Sequence, residues 1–353
     1  MQYMNPRPSS IVAALYTARD LGVDVSILHG PSGCSFKHAR LLEEDGMRVI
    51  TTSLGENEFI FGGQKPLVYA LRYAEEHFSP DRIAVVGTCV SMIIGEDMPS
   101  AVDESGISTP AICIDIHAGF RENIDGVIAA LEPAAEAGWI SEKELERQRF
   151  LLSKANEVER LRGAACRDYI TPSRGDLKHV AAGFLLDRAR SGKKGIAVMN
   201  AKKETAYMFA DEILALHEVA PDANITYIAN LGKDGLPKVA GDATRIRDEL
   251  ESKGLEFEIC GSLDEYGALG EHLGERIQEI KPDFALIVGV PHAIPSSYTD
   301  GIEVVSVTNG PRQVEPLREM GHKYVLVEID LHPRTLGVRS IVESEFGMIM
   351  RGM

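Results

Sequence analysis

Short apolar runs alternate along this sequence with longer amphipathic stretches, and that rhythm restricts the fold more than any other feature. A short run that is apolar at successive positions is a strand buried on both faces, as in a parallel sheet. The stretch between two such runs is long enough for a helix to cross over and bring the chain back parallel. In the first half the strand candidates are Val25–Leu28, Arg48–Thr51, Ile83–Val86 and Ala111–Ile114, with helices over 9–21 and 66–77. From 123 to about 169 the alternation stops, and a composition rich in Ala, Glu, Arg and Leu predicts nearly continuous helix. Thr171-Pro172-Ser173-Arg174-Gly175-Asp176 reads as a turn or linker, and Ser191-Gly192-Lys193-Lys194-Gly195 opens a second unit. Its strand candidates are 196–199, Ile225–Ala229, 256–260, 284–288, 302–307 and 324–328, and its helices fall near 204–217, 244–253 and 266–280. The expected fold is α/β, with Rossmann-like parallel-sheet domains over 1–122 and 191–353 joined by a helical connection over 123–190.

Composition narrows the function. Across 353 residues, 37 basic against 53 acidic side chains leave a net charge of −16. That excludes the basic face needed to meet nucleic-acid phosphates or an anionic membrane. No stretch approaches the roughly 20 apolar residues of a membrane span. Arg7, Arg19, Asp20 and Asp24 interrupt any apolar leader, so a cytoplasmic location is expected. Five widely spread cysteines are not a disulfide framework, and in a reducing compartment each is there for packing, redox chemistry or metal.

Phosphate-binding signatures are missing: there is no GxxxxGK[ST], and no GxGxxG lies between a strand and a helix. The glycine-bearing segments Asn230–Gly235 and Glu56–Lys65 read as ordinary turns, so nucleotide hydrolysis by this chain is not expected. Two cysteines stand apart. Cys34 follows the strand candidate Val25–Leu28 through His29-Gly30-Pro31-Ser32-Gly33, and Cys89 follows Ile83–Val86 through Gly87-Thr88. Both thiols are thereby placed beyond the carboxyl end of a strand at the entrance to a helix, where ligand sites of parallel sheets collect. The flanking glycines clear room for a bulky inorganic group, and thiolates so placed suit an iron–sulfur cluster. Two ligands are half of the usual four, and a two-fold axis beside these loops supplies the other half from a second copy. Cys113, Cys166 and Cys260 lie in apolar strand or helix contexts and read as packing.

His29-Gly30-Pro31-Ser32-Gly33-Cys34, then Thr51-Thr52-Ser53 with Glu56 and Phe61-Gly62-Gly63, then Thr88-Cys89 with Ile94-Gly95-Glu96-Asp97 resemble the nitrogenase component 1 superfamily. That group includes nitrogenase, its cofactor scaffolds, and the protochlorophyllide and chlorophyllide reductases. The resemblance implies that Cys34 and Cys89 ligate an interface cluster. The further upstream cysteine usual in the superfamily has no counterpart in Met4–Ser10, which fits a simple 4Fe-4S cluster with two ligands per subunit, shared across a homodimer. The short chain looks most like the members that act on a nickel tetrapyrrole on the way to coenzyme F-430. For those, the resemblance implies multi-electron reduction with lactam-ring closure. Electrons would come from a nitrogenase-reductase-like, ATP-hydrolysing iron–sulfur partner. A magnesium-tetrapyrrole reductase subunit and a non-catalytic cofactor scaffold are the alternatives within the same superfamily. His117 follows a strand candidate and is an unassigned candidate for proton donation or nickel contact, while His292 and Arg312 end strands of the second domain and are unassigned candidates for meeting substrate carboxylates.

Overall fold

A computed structural model describes residues 9–119, 124–164, 169–328 and 336–353. The chain forms two compact units. The first runs to Arg149 and takes in Leu236–Lys238, and the second holds Phe150–Gly235 and Val239–Met353.

The first unit starts with α1 (Ser10–Asp20), whose first turn is capped by the Ser9 hydroxyl accepting from the Val12 amide. Every α1 residue is buried, and Arg19 is neutralised by Asp20 and by Asp45. There follow β1 (Val25–Leu28), α2 (Phe36–Glu44), β2 (Arg48–Thr51), α3 (Glu56–Phe61), α4 (Gln64–Phe78), β3 (Ile83–Val86), α5 (Cys89–Ile94), α6 (Met98–Ser105) and β4 (Ala111–Ile114). The sheet is parallel throughout, in the order β2-β1-β3-β4. Val25, Ile27, Ile83 and Val85 recur at the two-residue period of one sheet face and pack on Leu67 and Leu71 of α4 and Ala101 of α6. The chain leaves β1 for β2 on one side and returns to β3 on the other. The topological switch point therefore lies between β1 and β3.

The nearly continuous helix expected from 123 to about 169 is not a single one: it runs as α7 (Ile124–Glu136) and α8 (Glu142–Leu161), with a turn between them. Gly138 takes a left-handed φ of 72°, Trp139 donates to the Ala134 carbonyl and Gly138 to that of Ala135, which is the Schellman termination. The Ser141 hydroxyl then caps α8 by accepting from the Glu144 amide. Glu56–Lys65 is likewise not a plain turn, because α3 and the start of α4 occupy it, with only Gly62-Gly63 between them.

The second unit contains α9 (Lys178–Arg190), β5 (Gly195–Asn200), α10 (Ala206–Val219), β6 (Ile225–Ala229), α11 (Pro237–Ser252), β7 (Glu258–Ile259), α12 (Gly270–Ile280), β8 (Phe284–Gly289), β9 (Glu303–Thr308), α13 (Val314–Glu319), β10 (Tyr324–Val327) and α14 (Glu345–Arg351). Its parallel sheet has the order β10-β9-β8-β5-β6-β7, with the switch point between β5 and β8. Ile196, Val198, Ala285 and Ile287 bury one face under Leu273 and Ile277 of α12. The turn before α9 lies along β10: the Asp176 carboxylate accepts from the Val325 amide, and Gly175 bridges Leu326. Among the described residues no helix is long and apolar enough to cross a membrane.

Candidate functional site

Two loops meet at the switch point of the first sheet. The β1 loop leaves the sheet with the His29 amide bonded to the Val86 carbonyl, and closes a turn in which Cys34 N donates to Pro31 O at 3.0 Å. The β3 loop places Thr88 as the cap of α5, with its hydroxyl accepting from the Val90 amide, and makes Cys89 the first helical residue. The same hydroxyl donates to the His29 carbonyl at 2.9 Å and so ties the two loops together. Gly30 is required by this contact, since a Cβ there would lie 2.4 Å from Thr88 Oγ1. Gly30→Ala is therefore expected to push Thr88 away, costing about 1–3 kcal/mol of stability by overpacking. Thermal denaturation of the purified variant checks it.

The two thiols come within electrostatic reach of one another. Burial pushes the half-buried Cys34 thiol up, and negative charge on Cys89 adds to the rise, against a hydrogen bond with Ser35 that lowers it. A bound cation reverses that balance, because a coordinating thiol is deprotonated. Cys89 Sγ accepts the Ala118 N–H at 3.3 Å, so the loop after β4 also reaches the pair. In that loop the Gly119 amide donates to His117 Nδ1 at 3.0 Å. With Nδ1 accepting, a neutral His117 carries its proton on Nε2. The chemistry of this donor set, two soft sulfurs on glycine-bearing loops, fits an iron–sulfur cluster. Among the described residues, no group of three or more His, Cys, Asp or Glu is arranged to hold a metal ion.

The other candidates lie elsewhere. Cys113 packs in β4 against the first core, where burial, Asp97 and Asp103 push its thiol up to about 12. Cys260 is buried just after β7 and pushed up to about 11 by burial with Glu265 and Glu258. Cys166 lies outside the described residues. His292 and Arg312 belong to the second unit, where His292 is buried and the Arg312 guanidinium sits 4.9 Å from the Tyr169 ring centroid.

Sequence reasoning missed a polar network behind the cysteines. His29 is fully buried, with Nδ1 3.1 Å from Thr52 Oγ1 and Nε2 3.2 Å from Glu96 Oε2. The other Glu96 oxygen accepts the Gly63 amide at 2.5 Å. Burial holds His29 below its ordinary value, although the Glu96 hydrogen bond and charge pull it back up. This network joins the loops after β1 and β2 to the turns that follow α3 and α5. The available signal was the polar residue immediately after β1 and β2, His29 and Thr52, where a buried polar side chain must find a partner.

Comparison with known proteins agrees with this layout. Residues 10–137, which span all four strands of the first sheet, match the family described as nitrogenase component 1 type oxidoreductase. That match covers about a third of the chain; the family to which the whole chain belongs is that of the relatives it matches from end to end. Over nearly its whole length the chain is similar to component CfbD of the Ni-sirohydrochlorin a,c-diamide reductive cyclase complex from three organisms. Against the Methanosarcina acetivorans protein it is 55% identical, over 99% of this chain and 96% of the relative. Against that of Methanothermobacter thermautotrophicus identity is 49%, over 99% and 98%. Against that of Methanocaldococcus jannaschii it is 44%, over 98% of each.

Proposed function

We propose that this chain is the iron–sulfur catalytic component of a Ni-sirohydrochlorin a,c-diamide reductive cyclase, carrying out ATP-dependent multi-electron reduction and lactam-ring closure in coenzyme F-430 biosynthesis. The observation that carries the reading is similarity at 44–55% identity across the full length of three relatives bearing that name. Cys34 and Cys89 hold a 4Fe-4S cluster together with the same two residues of a second copy. When bound, that cluster supplies single-electron transfer between the reductase partner and the tetrapyrrole.

The chain's own residues do the rest. Thr88 and Gly30 keep the two cysteine loops in register, and the Ala118 N–H offsets negative charge on the Cys89 sulfur. The homodimer is supported by apolar side chains left exposed around these loops: Phe36 beyond Cys34, Ile60 and Phe61 on α3, and Ile93 on α5. Side chains of this kind at one sheet edge are what a subunit interface covers. ATP hydrolysis falls to a nitrogenase-reductase-like iron–sulfur partner, and the assembly works in the cytoplasm.

The test is anaerobic turnover of Ni-sirohydrochlorin a,c-diamide with that partner, ATP and reductant, read by mass spectrometry of the tetrapyrrole. A reduced, ring-closed product supports the reading. Release of unchanged substrate, or reduction of a magnesium tetrapyrrole only, would refute it.

A further inference from the structure

Polar groups that this function leaves unused gather at the switch point of the second sheet. Lys202 lies just beyond β5, His292 just beyond β8 and Gln313 beyond β9, and the last turns of α8 bring Glu159 among them. Lys202 Nζ is 3.1 Å from Glu159 Oε1, and Gln313 Nε2 donates to Glu159 Oε2 at 3.3 Å. His292 Nε2 is 3.5 Å from Glu159 Oε1, outside hydrogen-bond geometry. Arg162 anchors the His292 loop by donating to the carbonyls of His292 and Ala293 at 2.9 and 3.0 Å. Burial would raise the Glu159 carboxyl, but Lys202 and His292 hold it well below the usual carboxylate range, so Lys202 and Glu159 form a compensated pair.

What is left over is specific. The His292 side chain is 3% exposed, and neither ring nitrogen has a hydrogen-bond partner among the described residues. Gln313 has its amide nitrogen committed to Glu159, and its buried carbonyl oxygen Oε1 has no hydrogen-bond partner among the described residues. Buried polar groups of this kind are uncommon and costly in a finished core. A ring N–H of His292 and the amide oxygen of Gln313, both buried and without a hydrogen-bond partner among the described residues, complement a ligand that accepts once and donates once. A carboxylate lacks the donor, and would place a second anion beside Glu159. A primary carboxamide has both groups.

We infer that His292 and Gln313 form a carboxamide-binding site at the switch point of the second sheet, with His292 donating to the amide oxygen and Gln313 Oε1 accepting from the amide nitrogen. The inference rests on the proposed function for the ligand's source: the substrate carries two carboxamides where its unamidated precursor carries carboxylates. The site would then select amidated tetrapyrrole over the corresponding acid, because an acid leaves Gln313 Oε1 facing a second oxygen.

Absorbance titration compares Ni-sirohydrochlorin a,c-diamide with unamidated Ni-sirohydrochlorin, for wild type, His292→Phe and Gln313→Leu. The wild type is expected to prefer the diamide by about tenfold or more, and each variant to bring the ratio towards one. Acetamide and acetate, followed by the His292 ring resonances in NMR, supply a measurement that needs no substituted residue. Acetamide should shift them saturably and acetate should not. Tetrapyrrole binding with an unaltered ratio in both variants would overturn the site while leaving the proposed function standing. Acetamide binding lost in Gln313→Leu, without tetrapyrrole binding by the wild type, would support the site and overturn that function. No response to acetamide in the wild type would overturn the site.

Discussion

Cys34→Ala and Cys89→Ala are each expected to strip the protein of iron. Purified without oxygen, the wild type should carry about four irons per dimer, and either variant close to none. Turnover should fall by at least about a hundredfold, more than loss of an outer-shell partner costs. Cys113→Ala is the control, since its thiol sits in β4 against the first core. It should lose some stability and keep its iron. Native mass spectrometry reads iron, sulfide and oligomeric state together. If either variant kept a full cluster, the ligand assignment would fail; if the wild type proved an iron-free monomer, the shared cluster would fail with it. Neither alanine leaves a charge unpaired in a core, because both thiols are only half-buried. Iron loss is therefore separable from unfolding.

The strands of the first sheet were legible because each is a short run of strand-favouring residues, and two of them are closed by residues that strands disfavour, Gly87 after β3 and Asp115 after β4. In the second sheet the pattern held at the centre and weakened at the edge. The run 256–260 supplies only the two residues of β7, both exposed, because an edge strand is paired on one side. The break between α7 and α8 also had its signal, Gly138 followed by Ser141 and Glu144, but helix-forming composition on both sides outweighed it. Cys34 and Cys89 could be singled out because strand, glycine and cysteine follow one another in close order at both places. The pairing of His29 with Glu96 could not, nor could that of Glu159 with Lys202: those partners are 67 and 43 residues apart, and only the folded sheet brings them together.

Acid should destabilise the second unit through His322. This side chain is buried, with Nδ1 in a short hydrogen bond to the Ser306 hydroxyl, and burial together with the charge of His292 holds it down to about 4. In the unfolded chain it returns to 6.5. The folded protein therefore binds fewer protons than the unfolded one between those values. The stabilisation is complete above about 6.5 and is lost as pH falls towards 4. At 1.36 kcal/mol per pH unit the loss amounts to about 3 kcal/mol. His322→Gln keeps an amide that can bond Ser306 and removes the titration. Urea unfolding of both proteins at pH 7.5 and pH 4.5 isolates the effect, because His29 and the carboxylates titrate in each alike. The wild type should lose about 2–3 kcal/mol more than the variant over that interval. Equal losses would mean that His322 takes up its proton without leaving its bond to Ser306, and that this corner of the sheet accommodates the charge.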